Sequence, residues 1–172
     1  RGDLKGYGPE STGMHVHISK NAFTDNHLLK FMSMIYEYKT FTHFIAQRQY
    51  TSAYNRWAKF KAGTLERVKH DMVKDIKSRK KNKSGIYTSS NTVEVRIFKA
   101  NLEEVSFRKN VEFCDALYHF TFKTPHYGLK LNSFVKYMRD ESKRYPNLNQ
   151  FLDDRKEALE KVLQFPLSIP EG

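Results

Sequence analysis

The sequence predicts an α+β fold, with separated strands set among long helices. Three observations carry this. In GMHVHIS, residues 13 to 19, Met14, Val16 and Ile18 alternate with His15 and His17, which is the two-residue period of a strand with one apolar face. In NTVEVRIFKA, residues 91 to 100, Val93, Val95 and Ile97 alternate with Thr92, Glu94 and Arg96. Between and after these runs, apolar residues recur at helical spacing.

Taken in order, residues 1 to 12 carry three glycines and Pro9 and read as a loop. A strand follows at about 14 to 19. Asp25 is placed to cap one long helix, whose apolar stripe runs Leu28, Leu29, Phe31, Met32, Ile35, Tyr38, Phe41, Phe44 and Ile45. That stripe is core, and His43 on it reads as packed or solvated. QRQYTSAYNRWAKF, residues 47 to 60, is aromatic and basic; Arg48, Tyr54, Arg56 and Trp57 either cover the core or stack on a base. Residues 65 to 83 form a charged helix with a narrow stripe of Leu65, Val68, Met72 and Ile76. It ends in a basic cluster, Arg79, Lys80, Lys81 and Lys83, which is a solvated helix end or a nucleic-acid contact.

Two strand-like runs come next, GIYTSS and NTVEVRIFKA. Helices are then expected over 104 to 123, 130 to 143 and 148 to 163, with Tyr145-Pro146 breaking the last two apart and PLSIPEG as a tail. His119 and His126 fall in this region without a partner pattern. Residues 1–172 therefore read as a single domain, or the C-terminal part of a larger one: a loop over 1–12, the motif-bearing strands and helices over 13–100, and a helical region over 101–165.

Composition bounds what such a chain does. Hydrophobic residues make up 39%, with 13 Phe and 10 Tyr, enough for a sizeable core. No apolar run approaches the roughly 20 residues of a membrane span, so no membrane partner is expected. No secretory leader is legible, and the start at Arg1 suggests a processed product or a part of something longer. Cys114 is the single cysteine. It reads as a small buried hydrophobe in a reducing, cytoplasmic setting. The net charge is +11, from 30 Lys and Arg against 19 Asp and Glu, which favours anionic partners such as nucleotides or nucleic acid.

The polar faces of the two strands hold the chemistry. His15 and His17 share one strand face, either as polar cover or as a pair of ligands aimed into a cleft. Glu94 and Arg96 share another, either as a surface ion pair or as cleft charges whose desolvation has to be compensated. One use unites them. A hard dication takes oxygen from Glu94 and nitrogen from His15 or His17, while the planar fork of Arg96 matches phosphate oxygens. Those are the parts phosphoryl transfer requires.

STGMHVHIS resembles the glutamine synthetase signature, in which a small residue, Gly, Met and His precede a second His and a Ser. TVEVRIF resembles the Glu-x-Arg strand of the same superfamily. The order of the two, with a long helix and IAQRQY between, is similar to the amidoligase family, the glutamine-synthetase-like carboxylate–amine ligases of bacteria and phages. The resemblance implies an antiparallel sheet with long helices packed on it, like the C-terminal part of a glutamine-synthetase-like catalytic domain. It implies ATP and Mg2+ or Mn2+ as cofactors, with a carboxylate and an amine as substrates. His15 would help bind metal and phosphates, His17 would line the nucleotide side, Glu94 would be a metal carboxylate, and Arg96 would hold the transferred phosphate. Arg48 is a further candidate for phosphate or substrate.

The chain departs from the family pattern in two respects. Family members carry paired glutamates, E-x-E, on an earlier strand, whereas Asp3 and Glu10 here lie in a glycine-rich loop. The expectation is that an upstream half or a partner chain supplies them, or that the fold is kept without activity. Before the Glu-x-Arg strand, GIYTSSN keeps only Tyr87 and Asn91 of the family's Arg-Tyr and Asn-rich run. Two other readings stand beside the ligase: a non-catalytic phage structural or nucleic-acid-binding module, and a metal-dependent nuclease built on HxH. The nuclease needs further ligands near the pair, and none has suitable spacing. A phage-encoded protein would work in the host cytoplasm or the virion.

Overall fold

The computed structural model describes residues 13–48, 70, 73–74 and 85–164. Its elements in chain order are β1 (Gly13–Ser19), α1 (Asp25–Glu37), α2 (Lys39–Ala46), β2 (Ile86–Thr88), β3 (Thr92–Lys99), α3 (Glu104–Lys123), α4 (Leu131–Asp140), α5 (Pro146–Asp154) and α6 (Lys156–Gln164). Among the described residues this is an α+β architecture, a three-stranded antiparallel sheet with helices packed on it. The loop over 1–12, the tail, Tyr54, Arg56, Trp57 and the cluster of Arg79, Lys80, Lys81 and Lys83 lie outside the described residues. No helix among the described residues is long and apolar enough to cross a membrane.

Strand order is β1-β3-β2, so β3 is central. Its apolar residues Val93, Val95, Ile97 and Phe98 are all fully buried. They share one continuous core with Leu28, Phe31, Met32 and Ile35 of α1 and with Phe113 and Leu117 of α3. Phe113 packs edge-to-face on Phe98, with ring centroids 6.1 Å apart, and also meets Phe41 and Phe134. Such aromatic pairs add to what area burial contributes.

The strand and α3 readings hold, but three others are corrected. Thr24, not Asp25, caps α1: its hydroxyl oxygen accepts from the His27 backbone N–H at 3.2 Å. The single long helix over residues 25 to 45 is broken at Tyr38, with φ −100° and ψ 55°. At the break the Thr42 hydroxyl donates to the Ile35 carbonyl at 3.0 Å, and the Tyr38 hydroxyl reaches out to the distant Leu129 carbonyl. The last helix begins at Pro146, a residue suited to a helix start, and divides at Arg155 into α5 and α6. The Glu112 carboxylate of α3 accepts from the Leu148 N–H at 2.6 Å, which satisfies the start of α5.

Lys109 on α3 is 1% exposed and donates from Nζ to the Ile45 carbonyl in the last turn of α2. Its ammonium also lies 4.5 Å from the Phe151 ring centroid. Burial, helped by nearby Arg155, pulls its pKa down to about 7. The unfolded chain therefore binds the proton more tightly between about pH 7 and the ordinary 10.5. Wild-type stability, measured relative to Lys109→Met, is expected to rise across that window by up to about 1.4 kcal/mol per pH unit. Urea unfolding of both proteins from pH 6 to 10 checks this, and a difference that stays flat would refute it.

Candidate functional site

The register brings the two motifs together. His17 lies opposite Glu94 on β3, and Tyr87 of β2 lies opposite Glu94 on its other side. These three form one row across the sheet. Between Met14 and Val16 the pairing is irregular: Met14 faces Phe98 while Val16 faces Val95, so Arg96 and Ile97 together oppose His15. An extra residue of this kind re-aims side chains locally.

In the resulting cluster, His15 Nδ1 lies 2.6 Å from Glu94 Oε1, and His17 Nε2 lies 3.6 Å from the same oxygen. Arg96 Nη2 donates to Glu94 Oε2 at 2.7 Å, and its guanidinium sits 4.6 Å from the Tyr87 ring centroid. The Glu94 side chain is only 11% exposed and that of Arg96 20%, against 44% and 56% for the two imidazoles. This is a shielded ion pair with a histidine rim, rather than a pair on an open strand.

Electrostatics follow from that burial. Desolvation pushes the Glu94 carboxyl up, but the Arg96 hydrogen bond and charge, then His15 and His17, outweigh it and hold the pKa below the ordinary 4.5. For His15, desolvation dominates and lowers the pKa below 6.5, with Glu94 opposing and Arg96 and Arg48 assisting. His15 is therefore neutral at pH 7. As a neutral ring bonded to a carboxylate it carries its proton on Nδ1, which leaves the Nε2 lone pair as donor.

Arg48 stands behind the cluster. It is 8% exposed and donates from Nη1 to the Arg96 carbonyl at 3.0 Å. Gly13 makes room for it, since a Cβ there would sit 2.5 Å from Arg48 Nη1 and 3.2 Å from the Phe98 carbonyl oxygen. Next to Lys109 on α3, Asn110 reaches the Met14 sulfur at 3.4 Å. The start of β1 and the end of α2 are thus both tied to α3.

The remaining sequence candidates are placed as follows. His43 is packed, and burial lowers its pKa to about 4. His119 lies on α3 beside Asp115, where Arg144 from beyond α4 reaches both, and His126 contacts Asn26. Cys114 is buried, which pushes its thiol well above the ordinary range. Tyr87 under Arg96 and Gly13 under Arg48 are parts of the site that residue-type reasoning passed over. The irregularity at His15 has no signal in the alternation itself.

His15, His17 and Glu94 each offer one donor atom, all within 4.8 Å of one another. Donors about 2.0 to 2.3 Å from one cation stand at most about 4.6 Å apart. The trio is therefore within a small adjustment of a shared ion. No protein-family model matches the chain, and neither the curated proteins nor the solved structures include a match.

Two outcomes follow. Gly13→Ala is expected to displace Arg48 from the Arg96 carbonyl and to lower stability by about 1 to 2 kcal/mol. In an Arg48→Ala background the same change should cost much less; a fully additive double-mutant cycle in urea would refute the contact. The second concerns acid. His15 disfavours its proton when folded, so stability falls as pH drops through 6.5. The stability due to Glu94 is present above 4.5 and is lost as pH falls through its lower folded pKa. Thermal midpoints from pH 7 to 3 should therefore decline more steeply for wild type than for Glu94→Gln below about pH 4.5. Parallel curves would overturn this assignment.

Proposed function

We propose that this chain carries part of the active centre of an ATP-dependent carboxylate–amine ligase. The observation that supports it is the convergence of His15, His17, Glu94 and Arg96 on one sheet face, shielded at the ion pair and open at the imidazoles. These are the positions to which the amidoligase resemblance assigns metal and phosphate chemistry.

The donor set suits a divalent cation. An imidazole nitrogen of His15 beside one Glu94 carboxylate oxygen favours Mn2+ over the more oxygen-demanding Mg2+. His15 and Glu94 would hold the ion, with His17 on the nucleotide side; when bound, it neutralises phosphate charge. Arg96 would bind the transferred phosphoryl group, its plane set by Glu94 on one edge and the Tyr87 ring below. Arg48, buried against the Arg96 carbonyl, would act by holding that strand in place. In the reaction a substrate carboxylate oxygen bonds to the γ-phosphorus and ADP leaves. The amine then bonds to the acyl carbon, losing a proton as phosphate departs. Positioning and charge neutralisation supply most of the catalysis. The paired glutamates of the family would come from an upstream segment or a partner chain.

Calorimetric titration with ATP in the presence of Mn2+ tests the reading. Binding should require the metal, vanish in Glu94→Ala, weaken about tenfold or more in His15→Ala, and persist in the surface variant Lys136→Ala. Full affinity in Glu94→Ala would sink the ligase reading. If ATP fails to bind while a labelled oligonucleotide binds with steep salt dependence, the +11 charge favours the non-catalytic nucleic-acid module instead.

A further inference from the structure

We infer that the pocket between β1 and α3 takes the base of an adenine nucleotide. Only the phosphates that this base would carry rest on the ligase reading.

The pocket holds about 370 Å³, at the small end of the range for ligand sites. Direct bonds between the strand side and the helix bracket the β1 residues that line it. Before them, the Asn110 side-chain amide donates to the Met14 sulfur at 3.4 Å. After them, the Tyr118 hydroxyl donates to the Ala22 carbonyl at 2.8 Å. A compact ring system fits between such pillars, whereas a running chain does not.

Val16 and Ile18 of β1 and Val111 of α3 give the pocket apolar walls, and Tyr118 adds a ring. That ring is fixed in place. Besides its bond to Ala22, it lies within 8° of parallel to Phe122 at 6.3 Å and edge-on to Phe23 at 5.0 Å. Preset apolar and aromatic walls suit a planar ring.

The polar lining sets which ring fits. Asp115 and His119, one helical turn apart on α3, both line the pocket. Arg144 Nη2 donates to Asp115 Oδ2 at 2.9 Å and to His119 Nε2 at 2.8 Å. A guanidinium only donates, so His119 Nε2 accepts and the ring proton sits on Nδ1. Nε2 then gives no proton to Asp115 Oδ1, 3.5 Å away, and that oxygen keeps its acceptor capacity. The α3 wall thus carries a donor beside an acceptor, with the carboxylate charge offset by Arg144. Its complement is an uncharged ring with an acceptor beside a donor. Adenine has this edge, N7 beside the N6 amino group, whereas guanine presents two acceptors there, N7 and O6. His17 lines the pocket and also lies 3.6 Å from Glu94 Oε1. The pocket therefore adjoins the ion-pair cluster, and phosphates on a seated base would pass His17 toward Arg96.

Calorimetric titration of the full chain tests this. Adenosine alone, without metal, should bind saturably. Inosine, with O6 in place of the amino group, should bind about tenfold more weakly, and cytidine more weakly for its smaller ring. Val111→Trp, filling the pocket from the exposed side of α3, should weaken adenosine about tenfold or more. It should leave the circular dichroism and the binding of inorganic triphosphate with Mn2+ unchanged. No saturable adenosine binding, inosine or cytidine bound equally well, or an unaffected Val111→Trp would overturn the inference. Displacement of adenosine by oligoadenylate with steep salt dependence, where ATP with Mn2+ gains nothing over adenosine, would uphold the base site and remove the ligase. Metal-dependent ATP binding no tighter than that of inorganic triphosphate would remove the base site alone.

Discussion

A carboxylate on the middle strand of a small sheet has to be kept ionised while largely out of water. Glu94 is 8% exposed and sits on the same strand as four fully buried apolar residues. Burying a charge there costs several kcal/mol unless partners compensate. Arg96 supplies the main compensation at 2.7 Å on one oxygen, and His15 supplies a second bond at 2.6 Å on the other. Much of the local architecture follows from that requirement. The irregular pairing at His15 gives its ring access to Glu94, Tyr87 supports the arginine plane, and Arg48 fixes the arginine's backbone through a space only Gly13 leaves open.

Lys109 shows what a buried charge looks like when nothing is to reach it. It is sealed at 1% exposure, its ammonium bonds a helix-end carbonyl and faces a ring, and its pKa falls to about 7. Glu94 is treated differently: its pKa is held down rather than allowed to rise, and its partners include two rings at the protein surface. A charge that is preserved, oriented and left next to solvent is the pattern of a site, because groups poised for ligands cluster where such environments are arranged. The contrast separates a scaffold lysine, which locks α2 to α3, from a carboxylate available to a cation.

What the sequence made legible was the facing of side chains. Alternation placed His15 with His17 and Glu94 with Arg96, and helical spacing placed Phe113 and Leu117 in the core. The bounds of α3 were also visible, because its apolar spacing runs uninterrupted between polar ends. Features that depend on one hydrogen bond were not. The helix breaks at Tyr38 within a stripe that reads as continuous, with Thr42 bonded to the Ile35 carbonyl across the break, and Thr24 is the cap because its hydroxyl meets the His27 N–H. The irregular step at His15 leaves no trace in a two-residue period, since it is a property of the pairing rather than of either strand. Arg48 was legible as a cation but not as a buried one, since its burial depends on the space at Gly13, on a strand remote in sequence.

Local charge balance links the metal and the nucleotide in the proposed function. With His15 neutral, the charges of Glu94 and Arg96 cancel. A dication placed there alone raises the local charge to about +2 beside a fixed guanidinium, in a chain that is already at +11. Paired glutamates would relieve that excess, and so would a triphosphate. Metal and ATP are therefore expected to enter the site together rather than in sequence, each offsetting the charge of the other.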